Sequence, residues 1–495
     1  MSEPRTVTRL LLVAGGVAFG LLATANGAGY RYGVSDQAFY IPVVRRSIDP
    51  TLFPRDARLI DAQGRLMAMD EILATLVRST GVSLEALYLA GYLATLALIW
   101  IGLVLIGGRV YRSRWALVAL GAAFTLRHRI PQTSANSLEP YFHPRMLAFA
   151  LGTLAVAAVL RQRWWVAIAL VALAAPVHIT TALWFSVLVG VALAVLDARM
   201  RRLGAAGALI AGGLLAAAAL LGPLRGTLTV MDDIWLQAVA SKDSLFATGW
   251  PAWAWAANLG SLGLLWWAQG VRARRRQLTA EDAALVWGAT ALVALFLFTL
   301  PMVAAGVALP VQFQISRVFW LIDFLATVYA IGVIVDRPDR RISAMVIALA
   351  LVAVAAGRGS YVMLVERPER ALFEARISVS PWQDVMRWVQ QQPRNAHILA
   401  DPGHGWKYGT SVRVAAERDV LLEEVKDSAL AIYSRDVAVR VVERTEAVGD
   451  FSSMTASRAH DLARRYDLDL LVTEADLSLP ILYRNAQFVV YDLKP

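Results

Sequence analysis

Four short stretches of the chain gather residue types that can do chemistry. The first, Tyr30-Arg31-Tyr32-Gly33-Val34-Ser35-Asp36-Gln37, sets a serine and an aspartate where a helix would begin. Ser35 can cap that helix and leave Asp36 in its first turn, where the helix dipole favours a carboxylate. Pro42 is then expected to end or kink it. A carboxylate so placed suits a general base or a metal ligand, and it suits plain helix-start chemistry equally. A second stretch, Asp49-Pro50-Thr51-Leu52-Phe53-Pro54-Arg55-Asp56, is held stiff by its prolines and ends in Asp56, which competes with Asp36 for any substrate or catalytic role.

The third stretch is Glu139-Pro140-Tyr141-Phe142-His143-Pro144-Arg145, a carboxylate, an imidazole and a guanidinium in close succession. Arg145 and His143 can bind a phosphate, or Glu139 and His143 can hold a divalent cation. The bland alternative is an interfacial loop with aromatics at headgroup level and a snorkelling arginine. The fourth is Ala175-Pro176-Val177-His178-Ile179-Thr180-Thr181, a histidine at a proline break between apolar runs. At membrane depth an ionisable group is costly and points to a site, whereas in a soluble core it would only be hydrogen-bonded. Arg317, after Gln312 and Gln314, can grip the phosphate of a lipid carrier through its planar fork or snorkel to ordinary headgroups. Asp323, deeper in the same apolar run, is expected to pair with a neighbour.

The elements that must position these residues are membrane helices. Of 495 residues 57% are hydrophobic and 17% charged, far fewer charges than a soluble protein carries. Apolar blocks near the ~20 residues needed to cross a bilayer recur along the chain. They fall at 10–28, 86–106, 115–127, 146–160, 164–177, 179–196, 203–222, 250–271, 283–302, 318–335 and 342–357. The runs 115–127, 146–160 and 164–177 are short for a crossing, and the region around Pro176 reads as a broken or re-entrant element. Basic groups sit in every second connection: Arg5 and Arg9; Arg109, Arg112 and Arg114; Arg161 and Arg163; Arg199, Arg201 and Arg202; Arg272, Arg274, Arg275 and Arg276; Arg337, Arg340 and Arg341. Facing all of them to the cytoplasm gives about eleven spans, with the N-terminus inside and the C-terminus outside. Ala23-Thr24-Ala25 also has the small residues of a signal-peptide cleavage site, a competing reading of the first run.

The outward connections then cover 29–85, 128–145, 223–249 and 303–317, so most mass outside the membrane lies on one side. Net charge is +10, and the excess belongs to residues 1–357, whose basic loops meet headgroups; no nucleic-acid partner is expected. Only four of the 48 basic residues are lysine, which reads as coding bias. There is no cysteine, hence no disulfide or thiol chemistry.

From about residue 358 the character changes. Ser380-Pro381-Trp382 starts a helix. Strands are expected at 396–400, 468–473 and 487–493, and helices at 428–448 and 455–466, with a turn at 401–405. The alternation predicts a small extracytoplasmic α/β domain over 358–495, following a transmembrane domain over 1–357 that carries the long first outer loop. No glycine-rich nucleotide loop or zinc spacing is present.

The long first loop with its early acid Asp36, the acidic second loop with Glu139, the break at Pro176 and the terminal α/β domain together resemble the GT-C class of membrane glycosyltransferases. Asp49 to Asp56 and Pro176 to Phe185 look like a bacterial branch whose members mostly lack an assigned activity. The resemblance implies transfer of a sugar from a polyprenyl-phosphate donor to a glycan, lipid or protein acceptor, at the outer face of the bacterial cytoplasmic membrane. It implies Asp36 as base with Glu139 as a second catalytic acid residue, Arg317 and Arg145 on the leaving lipid phosphate, and His143, His178 and Asp56 around the substrates, with the turn at 401–405 as a lip. A paired acid motif is missing from the first loop, so a divalent cation stays an open expectation. A non-catalytic assembly or export subunit and a transporter or flippase are the competing functions.

Overall fold

The computed structural model describes residues 5–64, 68–222, 227–336 and 341–494. Arg337 and Arg340 therefore lie outside the described residues, as does the start of the connection 223–249. Contacts divide the chain into two compact units: Met1–Tyr30 with Ala90–Val230 and Asp243–Phe373, and Arg31–Leu89 with Met231–Lys242 and Glu374–Pro495.

The first unit is helical. Each apolar run expected from the sequence forms a helix: Arg5–Asn26, Leu84–Val110, Arg114–Thr125, Pro144–Leu160, Trp164–Ala174, Ile179–Leu196, Ala198–Leu221, Ala252–Arg274, Ala280–Ala304, Val318–Val335 and Arg341–Tyr361. Six stretches are long and apolar enough to cross a membrane: Leu84–Val110, Ile179–Leu196, Ala198–Ala218, Ala280–Ala304, Ala308–Val335 and Ser343–Glu366. The chain is a multi-pass membrane protein. Arg114–Thr125 and Trp164–Ala174 have 12 and 11 residues, below the usual crossing length.

Arginines of the basic connections satisfy backbone groups at helix ends. The last carbonyls of a helix have no partner within it, and an orphan of this kind is costly away from water. Arg109 Nε donates to Leu160 O at 3.0 Å, Arg275 to Val333 O at 2.9 Å and Arg272 to Val110 O at 3.2 Å. Arg272, expected to face headgroups, is instead buried against Asp282 at 2.9 Å.

The second unit is built on a five-stranded mixed sheet. Its strands are β1 (His397–Leu399), β2 (Asp419–Val420), β3 (Leu470–Thr473), β4 (Ile481–Arg484) and β5 (Val489–Asp492), in the spatial order β2-β1-β3-β5-β4. β1 runs parallel to β2 and β3; β5 is antiparallel to β3 and β4. Alternation along the strands divides the apolar side chains between two faces. Ile398, Leu470, Val472 and Val490 pack with Trp382, Met386 and Val389 of the helix Pro381–Gln390. Leu399, Leu471, Val489 and Tyr491 pack with Leu462 and Ala463 of the helix Ala456–Tyr466. Each fully buried aliphatic contributes about 1.5–3 kcal/mol. Ser380 and Thr455 cap those two helices through their side chains.

Three local expectations are revised. Asp36, not Ser35, holds the N-cap position of the helix Gln37–Ile48, and its side chain makes no cap bond. That helix runs through Pro42 to Ile48. The expected helix over 428–448 is two, Glu424–Ala431 and Arg435–Val448, with Ser434 capping the second.

The same unit contains the loop after the first membrane helix, whose Asp56 is wholly buried. Asp56 accepts from Arg413 Nε at 2.7 Å, from Arg440 Nη2 and from the Val420 amide at 3.2 Å. Arg413 in turn donates to both oxygens of Asp427. Burial works to raise the Asp56 carboxyl, and the guanidiniums of Arg413 and Arg440 overcome it and hold the group below the ordinary carboxylate range. Asp419 beside it goes the other way, raised to about 6 by burial and then by the Asp56 charge. With its oxygens so engaged, Asp56 is a packing centre of the second unit.

Asp56→Asn removes the partner of two arginines, one of them 3% exposed, and is expected to cost about 3–5 kcal/mol. A folded pKa below the unfolded value of about 3.9 stabilises above that pH and is lost as pH falls through the lower value. Thermal melts of the purified chain against pH should show lower stability for the variant at neutral pH and less of the loss in acid.

Candidate functional site

Four of the expected site residues gather in the first unit at the starts of membrane helices. His143 is the N-cap of Pro144–Leu160, its Nδ1 accepting from the Arg145 amide at 3.0 Å. That leaves Nε2 to carry the proton of a neutral ring. His178 is the N-cap of Ile179–Leu196, its Nδ1 accepting from the Thr181 amide at 3.3 Å. The two imidazoles meet edge to face, centroids 6.4 Å apart. Pro176 lies in the four-residue link between Trp164–Ala174 and that helix, so the break read from the sequence is where one helix stops and the next starts.

Close helix packing brings these termini together. A Cβ on Gly152 would lie 2.2 Å from the Phe185 ring, and one on Gly288 2.3 Å from the Leu188 carbonyl. Only glycine lets the helices Pro144–Leu160 and Ala280–Ala304 come so near to Ile179–Leu196.

Glu139 and Arg145 are both buried and pair at 2.9 Å. Asn136 Nδ2 donates to both Glu139 oxygens, at 3.2 and 3.0 Å, and Arg127 stands 3.8 Å away. The Arg145 guanidinium also lies over the Trp320 ring, 5.9 Å from its centroid, and Trp320 stacks on Phe149 at 4.1 Å. Glu139 is thus held by donors on several sides and fixes the arginine. Arg317 precedes the helix Val318–Val335, after Gln314 in the left-handed region at φ 50°. His178 lies within electrostatic reach of His143, Arg145 and Arg317. The helix starts at Pro144 and Ile179 therefore share a locality with Arg145 and Arg317, with Glu139 as its acid. Helix N-termini and arginines are what an anion seeks. Asp323, on the Val318–Val335 helix, pairs with His128 Nε2 at 3.0 Å.

Asp36 belongs to the second unit, where its Oδ1 accepts from Lys426 Nζ at 3.0 Å. Ser35 before it takes φ 52°, a strained value for a non-glycine residue. Lys426 is buried and lies 4.8 Å from the Phe39 ring centroid and 5.4 Å from that of Trp406. Lys242 lies close by, donating to Val425 O at 3.0 Å; burial and then Lys426 lower its pKa. Sequence reasoning missed Lys426, yet a signal was present: in a chain that otherwise uses arginine, a lysine marks a place for a compact point charge. The turn expected at 401–405 runs on into a short helix, His404–Lys407.

Among the described residues no group of three or more His, Cys, Asp or Glu stands close enough to hold a metal ion. Glu139 is engaged by Arg145 and Asn136.

No family model matches the chain, and no curated protein does. Among solved structures it is similar to the oligosaccharyltransferase of Archaeoglobus fulgidus in its apo form, at 11% sequence identity and a TM-score of 0.45. The likeness covers 94% of this chain and 69% of that one. At that score it carries no argument about activity, which rests on the residues described above.

Removing Glu139 tests the cluster's internal logic. Glu139→Ala leaves Arg145 buried without its acid and is expected to lower stability by about 3–5 kcal/mol. Glu139→Ala with Arg145→Met should recover much of that loss. Equal melting of the single and double variants would mean that the pair is not coupled.

Proposed function

We propose that the chain is a membrane glycosyltransferase that moves a sugar from a polyprenyl-phosphate donor to an acceptor outside the cytoplasm. The observation that supports it is the contact of the two capping histidines His143 and His178 at membrane-helix starts, with Arg145 and Arg317 in electrostatic reach. A lipid-linked donor sheds its charge as a phosphate at the edge of the hydrocarbon. That leaving group needs positive groups held in place in a medium of low dielectric, where they act most strongly.

Under this reading Arg317 and Arg145 stabilise the departing phosphate. His143 and His178 add polar contacts on the same side, and Glu139 aims the Arg145 fork. Asp36 takes the proton of the acceptor hydroxyl as it attacks the anomeric carbon, with Lys426 orienting the carboxylate. The helices make eleven crossings of the bacterial cytoplasmic membrane, with the basic connections inside. The tail over 358–495 lies outside, and so does the loop after the first helix.

The test is transfer of a radiolabelled sugar from polyprenyl-phosphate donors in membranes holding the chain. Asp36→Asn and Arg317→Ala should each lower the rate at least about 100-fold at unchanged expression. Wild-type transfer by either variant removes that residue from the reaction. Comparing the surface glycans of a deletion strain and its parent would identify the product.

A further inference from the structure

The second unit holds a small cavity beside the Asp36–Lys426 pair, lined by Ser35, Gly405, Trp406, Gly409, Glu423 and Lys426 among others. Its volume is about 20 Å³, room for roughly one oxygen-sized group. Glu423 is 2% exposed, and among the described residues neither of its carboxylate oxygens has a hydrogen-bond partner. The Arg413 guanidinium stands 3.6 Å away through Nη1, and the His404 imidazole, kept from protonation by burial, 4.0 Å away through Nε2, both outside hydrogen-bond reach. Arg413 is already engaged by Asp56 and Asp427. Arg413 supplies an opposite charge but no hydrogen bond, and a buried carboxylate without hydrogen bonds is costly, so its acceptor capacity calls for a donor.

The surroundings say what kind of donor. Gly405 has no side chain, and a Cβ there would lie 2.7 Å from Glu423 Oε1, so only glycine lets the backbone pass so close to that oxygen. Trp406, next in sequence, is 62% exposed although it is the largest apolar side chain at the cavity. An exposed indole face beside a recessed carboxylate and an ammonium offers stacking for a ring's C–H surface and hydrogen bonds for its hydroxyls.

We propose that this cavity binds a saccharide: one ring hydroxyl enters and donates to Glu423, Lys426 donates to a neighbouring sugar oxygen, and the ring packs on Trp406. That this sugar is the acceptor, which would make the acceptor a glycan and not a lipid or protein, rests on the glycosyltransferase reading; the binding itself does not.

The test uses the full chain in a sugar-free detergent, labelled with 5-fluorotryptophan, with the Trp406 resonance identified by its loss in Trp406→Phe. Methyl glycosides of the common hexoses and N-acetylhexosamines are titrated in. At least one should shift that resonance saturably, with affinity at least about tenfold weaker in Glu423→Gln. Trp406→Ala, a change at an exposed position, should abolish saturation transfer to the same sugar even if Glu423→Gln folds poorly. No shift with any sugar, or an equal shift in Glu423→Gln, overturns the proposal. A shift with serine-containing peptides and none with sugars overturns it in favour of a peptide hydroxyl. Sugar transfer without binding here would sink this inference and leave the transferase reading standing; binding without transfer would do the reverse.

Discussion

A charge removed from water must be met by an opposite charge or by aimed dipoles, and this requirement shapes both units. Two unit charges 4 Å apart attract by about 1 kcal/mol in water and about 4 kcal/mol at an effective dielectric of 20. A pair that does little on a surface therefore becomes decisive when buried. Glu139 with Arg145, Arg272 with Asp282, and Asp56 with Arg413 and Asp427 are all pairs of this kind. Each ties together segments that local propensity would leave free. Truncating one partner does more harm than the pair does good, because the other charge is then stranded.

The same requirement explains what could be read from the sequence. Helix positions were legible because an apolar run of ~20 residues has few other uses. The strands β3 and β5 were legible because both of their faces are buried and the runs are continuously apolar. The edge strand β4 escaped notice because three of its four residues are exposed and carry no pattern. The break between Ala431 and Arg435 escaped too, since no glycine or proline marks it and Ser434 caps the second helix in an unbroken apolar pattern. The burial of Asp56 was not legible because nothing near it in the sequence shows Arg413, 357 positions later.

The candidate site was legible to a similar degree. Glu139, His143 and Arg145 stood out as a motif, and His178 as an ionisable group at a proline break. That the helices capped by His143 and His178 lie side by side follows from close packing at Gly152, which single-sequence reasoning does not reach. Glu423 and Trp406 went unnoticed because an acid and an aromatic are ordinary in a folded tail; only the open oxygens and the exposed ring set them apart.

The central claim is that the helix-terminus cluster recognises the phosphate of a lipid carrier. Its most direct test is binding of a polyprenyl phosphate, against the matching polyprenyl alcohol, to the full chain in nanodiscs. The account predicts retention of the phosphate over the alcohol, weakened at least about tenfold in Arg317→Ala. Equal retention of the two lipids, or a preference that survives loss of Arg317 unchanged, would contradict it.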